Sequence, residues 1–298
     1  MAPIGAIAKR ETGRDTIERS RARASLVPDL LVEAKRVANS VFSGWHGRRK
    51  RGIGENFWQF RPYVPGESMS KIDWRRSARD EAHIYVQDKE WQATHTVWLW
   101  VDESPSMLFK SELGTVPKQS RALVLAFAMA ELLARSGERV GWLGLTKPIL
   151  SRNAAEKLAE ALILAEPQTK FPTDPDLGSH SDLILFSDYL DPVETNNENL
   201  QGLFRRGAKG HVVQIIDPVE EVFPYSGRVE FSDPETGSKF TVGNAEGLKG
   251  AYEQEIAMRT SAMREATNSL GWSFTRHHTD RLASKALLHL HTHLGKRG

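Results

Sequence analysis

Apolar positions along the chain fall into two rhythms. Between Thr16 and Phe42, the residues Leu26, Leu30, Leu31, Ala34, Val37 and Val41 recur near helical spacing, which predicts an amphipathic helix. Lys118 to Ser136, rich in Ala and Leu and closed by Gly137, predicts a second helix. Asn153–Ala165, Asn199–Ala208, Leu248–Leu270 and Arg281–His293 read the same way. Between these helices lie short, nearly unbroken apolar runs: Val97–Val101, Arg139–Leu145, Leu183–Phe186, His211–Ile216 and Trp272–Arg276. Runs this short and this apolar read as strands buried on both faces. Strands alternating with helices give a doubly wound, mostly parallel sheet, with short right-handed crossovers. Ile84–Trp91 alternates loosely and reads as a strand leading into the central one. Phe223–Val242 carries Gly, Pro and alternating apolar residues around Glu235-Thr236-Gly237, the pattern of a β-hairpin.

The strand ends are where chemistry could sit. Val97–Val101 runs directly into Asp102-Glu103-Ser104-Pro105-Ser106, which places small oxygen-bearing side chains at every second position. Leu183–Phe186 ends in Ser187-Asp188, and His211–Ile216 ends in Asp217-Pro218. In open α/β sheets, ligands bind in the crevice beyond the carboxyl ends of the strands. A loop carrying Asp102, Ser104 and Ser106 there could aim three oxygens at one point, as a hard cation such as Mg²⁺ requires. Taken alone, the same five residues also describe a solvated turn in which Ser106 caps a following helix.

Composition narrows the classes. The 298 residues are 40% hydrophobic and 26% charged with both signs mixed, at a formal charge of +2, which suits a globular chain rather than a dedicated nucleic-acid binder. Without cysteine there are no disulfides, thiolate nucleophiles or Cys-ligated zinc. The run Ala122–Ala130 is interrupted by Glu131, well short of the ~20 residues a membrane span needs. Met1–Arg10 lacks the apolar core of a signal peptide, so a cytoplasmic location is expected. Met1–Gly52 holds twelve Lys and Arg against five Asp and Glu, much of the excess in Arg48–Arg51. That run could meet phosphates or an acidic partner, but no aromatic interleaving accompanies it, and a solvated loop is the simpler reading. His289 and His293 share a helix face, yet no further ligand pairs with them or with His291, so exposed histidines are expected rather than zinc. There is no G-x-S-x-G elbow and no glycine-rich phosphate loop.

The spacing Asp102-x-Ser104-x-Ser106 after a central strand resembles the metal-ion-dependent adhesion site of von Willebrand factor A domains. A longer ordered set extends the resemblance. Gly54-x-Asn56-Phe57, Arg61-x-Tyr63, Pro65-Gly66-Glu67, Ile72-Asp73-Trp74-Arg75 and Ser77-Ala78-Arg79 precede the strand and Asp102. Phe186-Ser187-Asp188-Tyr189-Leu190-Asp191, Asp217-Pro218-x-Glu220-Glu221 and Phe231-x-Asp233-x-Glu235-Thr236-Gly237 follow it. Together they resemble the domain-of-unknown-function family numbered fifty-eight, bacterial and archaeal proteins with a von Willebrand factor A-like domain, over about residues 40 to 290. Their genes commonly neighbour those of MoxR-type AAA+ ATPases. Within the early motif, Arg61, Asp73 and Arg75 are expected to hold the segment against the sheet by ion pairing and cation–π stacking.

The resemblance implies a von Willebrand factor A-like doubly wound sheet over 93–294, with a hairpin at 222–243. An N-terminal helix and strand extension covers 16–92, and residues 1–15 read as disordered. It also implies a metal site at Asp102, Ser104, Ser106 and Asp188. Ser104 and Ser106 would bind the ion directly, and Asp102 would act through a water. The pattern further wants a Thr before the strand ending at Asp188. Thr169 and Thr173 are the candidates, with Thr173 preferred. Neutral hydroxyls leave Mg²⁺ (or Mn²⁺ or Ca²⁺) electrophilic, ready to take a partner's carboxylate. The expectation is therefore a non-enzymatic interaction module, an adaptor or co-chaperone whose partner is a protein such as a MoxR-type ATPase. A metal-dependent hydrolase using the same acids is the alternative, and a third reading gives binding to the basic Arg48–Arg51 face.

Overall fold

In a computed structural model the described residues are 13–46, 59–80, 83–88, 95–171, 177 and 181–295. They fall into two compact units, one drawn from Met1–Phe42 with Thr96–Gly298 and the other from Ser43–His95. Residues 1–12, the Arg48–Arg51 run and Thr173 lie outside the described residues.

The first helix, α1, spans Gly13–His46, so it begins within the stretch expected to be disordered. In the smaller unit, β1 (Gln59–Pro62) pairs antiparallel with β2 (Tyr85–Asp88), and α2 (Trp74–Ser77) lies between them in sequence. The expected strand Ile84–Trp91 is described over Tyr85–Asp88, where it pairs with a partner that periodicity did not mark; residues 89–91 lie outside the described ones. Gln59–Pro62 is four residues ending in Pro, too short to alternate visibly. Arg61 donates to both carboxylate oxygens of Glu67, at 2.8 and 2.6 Å. Asp73 caps α2 by accepting from the Arg76 amide at 2.9 Å. Arg75 does not play the expected stacking role. It is exposed, and the Arg76 guanidinium instead lies 4.2 Å from the Phe60 ring centroid and 5.2 Å from that of Tyr85.

The larger unit continues through β3 (Thr96–Val101), α3 (Lys118–Arg135), β4 (Arg139–Trp142), α4 (Ala154–Leu164), β5 (Asp182–Ser187) and α5 (Val193–Phe204). There follow β6 (Lys209–Ile216), α6 (Val219–Val222), the antiparallel hairpin β7–β8 (Val229–Ser232 and Lys239–Val242), α7 (Lys249–Ser269), β9 (Ser273–His278) and α8 (Ala283–Gly295). Five strands form one parallel sheet in the order β4-β3-β5-β6-β9, flanked by helices. Alternate residues of β3 serve opposite layers. Val97, Leu99 and Val101 join the core packed by α1, α3, α4 and α8. Trp98 and Trp100 join the core packed by α5 and α7, with Leu200, Leu203 and Met263. α5 starts six residues before the expected Asn199, because its first turn is polar and carries no apolar stripe. That turn is held instead by buried Asn196, whose amide donates to the carbonyls of Tyr189 and Asp191.

Two glycines let tryptophans close on the sheet. A Cβ at Gly210 would stand 1.8 Å from Trp272 Cε3, and one at Gly141 would stand 2.7 Å from Trp98 Cε3. Trp272 is buried and has no room to retreat, so Gly210→Ala is expected to cost about 3 kcal/mol by overpacking. A loss in urea unfolding of less than about 1 kcal/mol at unchanged m-value would show the ring to be loosely held.

Candidate functional site

The site lies beyond the carboxyl ends of β3, β5 and β6, where three side-by-side strands deliver Asp102, Asp188 and Asp217. The parallel ladder runs past β3 itself: the Asp102 amide donates to the Phe186 carbonyl at 2.9 Å. Asp102 is buried, and both of its carboxylate oxygens are engaged. Oδ1 accepts from the Ser104 amide at 2.8 Å, and Oδ2 accepts from the Ser187 hydroxyl at 2.7 Å. Pro105 then opens a 3₁₀ turn over Pro105–Leu108, which Met107 anchors in the core. This turn brings the Ser104 and Ser106 hydroxyl oxygens to 3.1 Å from each other. Two neighbouring donors on one octahedral Mg²⁺ stand about 3 Å apart, given metal–oxygen distances of about 2.1 Å.

Asp188 reaches the same edge from β5. Burial, and after it the nearby Asp188 carboxylate, push the Asp102 carboxyl up to about 6. The turn after Asp188 is unusual. Tyr189 has φ +56°, a left-handed conformation that a side-chain-bearing residue rarely adopts. Its ring is buried, its amide donates to the Ser187 hydroxyl and its own hydroxyl donates to the Leu185 carbonyl, both at 3.1 Å.

The sequence reading missed a cation at this edge. Lys118, in the first turn of α3, is fully buried; its Nζ donates to Asp188 Oδ2 at 2.8 Å and to Glu220 Oε1 at 2.5 Å. Burial alone would pull the ammonium down, but Asp188 and Glu220 together hold it above the usual lysine value. Glu220 is raised by burial, which outweighs the opposing pull of Lys118. A lysine opening a helix works against the helix dipole, and that mismatch was the one sequence signal for a buried role. Asp217 places the approach to α3. It accepts from the amide and hydroxyl of Ser111 and from the Val219 amide, and a Cβ at Gly114 would meet its Oδ2 at 2.2 Å.

The other candidates separate. Glu103 is buried but faces away, accepting from the Gln168 amide at 3.0 Å and from the Gln119 side chain. Thr169 is exposed, with no hydrogen bond to the cradle among the described residues. The Nε2 atoms of His289 and His293 lie 3.2 Å apart on α8. Among the described residues, no three His, Asp or Glu side chains group to hold a metal. A cation at the sheet edge would therefore rest on hydroxyls. The donor set there, two serine hydroxyls backed by Asp102 and Asp188, is all oxygen and suits a small hard ion held partly through water.

The hairpin adds a further acid. Glu235 Oε1, at the hairpin tip, accepts from the Ser106 amide at 2.9 Å.

The model of the family described as "Protein of unknown function DUF58" matches residues 59–262. The chain belongs to this family. The DUF58 span includes the cradle, Lys118, Asp188, Glu220 and the hairpin, and ends before β9 and α8. Uncharacterized proteins of Mycobacterium bovis and Mycobacterium tuberculosis are 24% identical to the chain over 282 residues, covering 87% of it and 85% of theirs. Among solved structures, conserved hypothetical protein BatB of Bacteroides thetaiotaomicron matches at a TM-score of 0.39 and 16% identity, covering 68% of this chain and 99% of that one. An aerotolerance-related membrane protein of Bacteroides fragilis matches at a TM-score of 0.38, with the same identity and coverage. Among the described residues of this DUF58 chain, no helix is long and apolar enough to cross a membrane.

Proposed function

We propose that the larger unit is a von Willebrand factor A-like module that docks a protein partner through a divalent cation at Asp102, Ser104, Ser106 and Asp188. Ser104 and Ser106 would be the direct donors. Asp102 and Asp188, whose oxygens are already engaged, would act through water. The single observation that carries the reading is the serine pair held 3.1 Å apart, beside two acids delivered by adjacent strands. Lys118 refines it. Set against Asp102, Asp188 and Glu220, it leaves two formal negative charges in the cluster, enough to attract a divalent ion but not to bury its charge. The ion keeps an electrophilic position for a partner's carboxylate, so the module works by binding rather than by catalysis. A MoxR-type AAA+ ATPase is the partner we favour, with the chain as its adaptor.

Titration of Mg²⁺ and Mn²⁺ into the purified chain tests the cradle, and binding of the purified ATPase with and without EDTA tests the docking. Asp102→Ala is expected to remove both the ion and the partner. ATPase binding that survives EDTA and Asp102→Ala would overturn the docking mechanism. Metal-dependent turnover of a phosphomonoester or phosphodiester, lost in Asp102→Ala, would favour the hydrolase instead.

A further inference from the structure

The hairpin contact has a meaning beyond packing. Glu235 lies 129 residues from Ser106, yet its carboxylate takes the backbone amide of the second cradle serine. The tip is built to present that one side chain. Asp233 accepts from the Glu235 amide at 2.9 Å and from the Thr236 hydroxyl at 2.6 Å, and Gly237 closes the turn at φ +70°. By contrast, the body of the hairpin is lightly held. β7 alternates between half-buried and exposed residues, β8 is exposed up to half-buried Val242, and Phe240 is 58% exposed. An aromatic row secures it: Phe231 stacks on Phe240 and Phe223, with ring centroids 5.3 and 5.9 Å apart, and Phe223 packs on Tyr252 at 4.6 Å. Glu235 itself is exposed, so water or an incoming acid can compete for its place.

We propose that Glu235 is the cradle's internal acidic ligand: its carboxylate fills, in cis, the position that a carboxylate of a protein partner takes. The inference rests on the docking reading above. An acid standing at the Ser106 amide is already at the edge where the direct donors converge, so a divalent ion placed between the serines would draw it in as a further oxygen donor. A partner presenting Asp or Glu then binds by exchange, carboxylate for carboxylate, and the freed hairpin lifts about its aromatic row. An exchange of this kind would discriminate against partners whose acid cannot reach the serines.

The test uses the full chain as wild type, Glu235→Gln and Asp102→Ala, with Mn²⁺ binding followed by electron paramagnetic resonance and backbone amide exchange followed with and without Mg²⁺. Wild type is expected to bind Mn²⁺, Asp102→Ala not to bind it, and Glu235→Gln to bind it about tenfold more weakly. Magnesium is expected to slow exchange of the hairpin amides between Val229 and Val242 in wild type but not in Glu235→Gln; this second readout separates ligation from a general effect of charge. Equal Mn²⁺ affinity in wild type and Glu235→Gln, or magnesium protection of the hairpin that survives the substitution, overturns the internal-ligand assignment while leaving the cradle standing. Failure of wild type to bind Mn²⁺ at all overturns both.

Discussion

Replacing Lys118 with Met is expected to destabilise the larger unit by about 3–5 kcal/mol at neutral pH, the usual cost of removing one partner from a buried ion pair. Methionine fills nearly the same volume, so the loss isolates the charge. Asp188 and Glu220 are left facing each other with no cation, and the Lys118 pocket is fully closed to water. The deficit should shrink on acidification as Glu220, whose carboxyl burial already raises, takes up a proton. Adding Glu220→Gln should recover part of it, because a neutral amide removes half of the like-charge conflict. Urea unfolding at pH 7.5 and pH 5 measures both effects. A loss below 1 kcal/mol would mean that the lysine is a bystander to the acids it touches.

The second large effect concerns Asp102 and pH. Its carboxyl is raised from 3.8 to about 6 in the folded chain, so the native state holds this proton more tightly than the unfolded state does. The stability it contributes is therefore complete below pH 3.8 and is lost as pH rises through about 6. The amount at stake is on the order of 3 kcal/mol. Other carboxylates move the opposite way, notably Glu221, which His278 and Arg276 hold below the ordinary range despite partial burial. The effect must therefore be read as a difference between wild type and Asp102→Asn. In EDTA, the variant is expected to gain stability relative to wild type between pH 4 and pH 7. Excess Mg²⁺ should erase that gain, since an ion in the cradle rewards the ionised carboxylate. Parallel pH profiles for the two proteins would show that Asp102 is ionised at no cost.

What could be read from the sequence followed from how each residue type announces itself. β3 was plain because five apolar residues in succession, two of them Trp, have no place on a surface. The acids after it stood out because the chain changes character within one residue. Lys118 was easy to pass over for the opposite reason. A lysine at a helix start is normally solvated, and only the position of β5 and α6 shows that its side chain points inward. β1 was missed because four residues cannot display a period, and the first turn of α5 because side-chain amides, not apolar groups, tie it down. Glu235 belonged to a recognised motif, but a hairpin tip carries no information about which distant loop it will touch. No local pattern encodes a contact spanning 129 residues.

The left-handed turn at Tyr189 links the cradle to the opposite layer of the molecule. Such a backbone costs about 1–2 kcal/mol for a residue bearing a side chain. Here it persists because the phenol is lodged beneath it, in the layer shared with α5 and α7. The backbone next to Asp188 is thus braced from below, by an aromatic ring buried in the α5–α7 layer. Loosening that layer, by trimming Leu200 or Met263, is therefore expected to reach the sheet edge through the Tyr189 backbone without touching any residue at the rim.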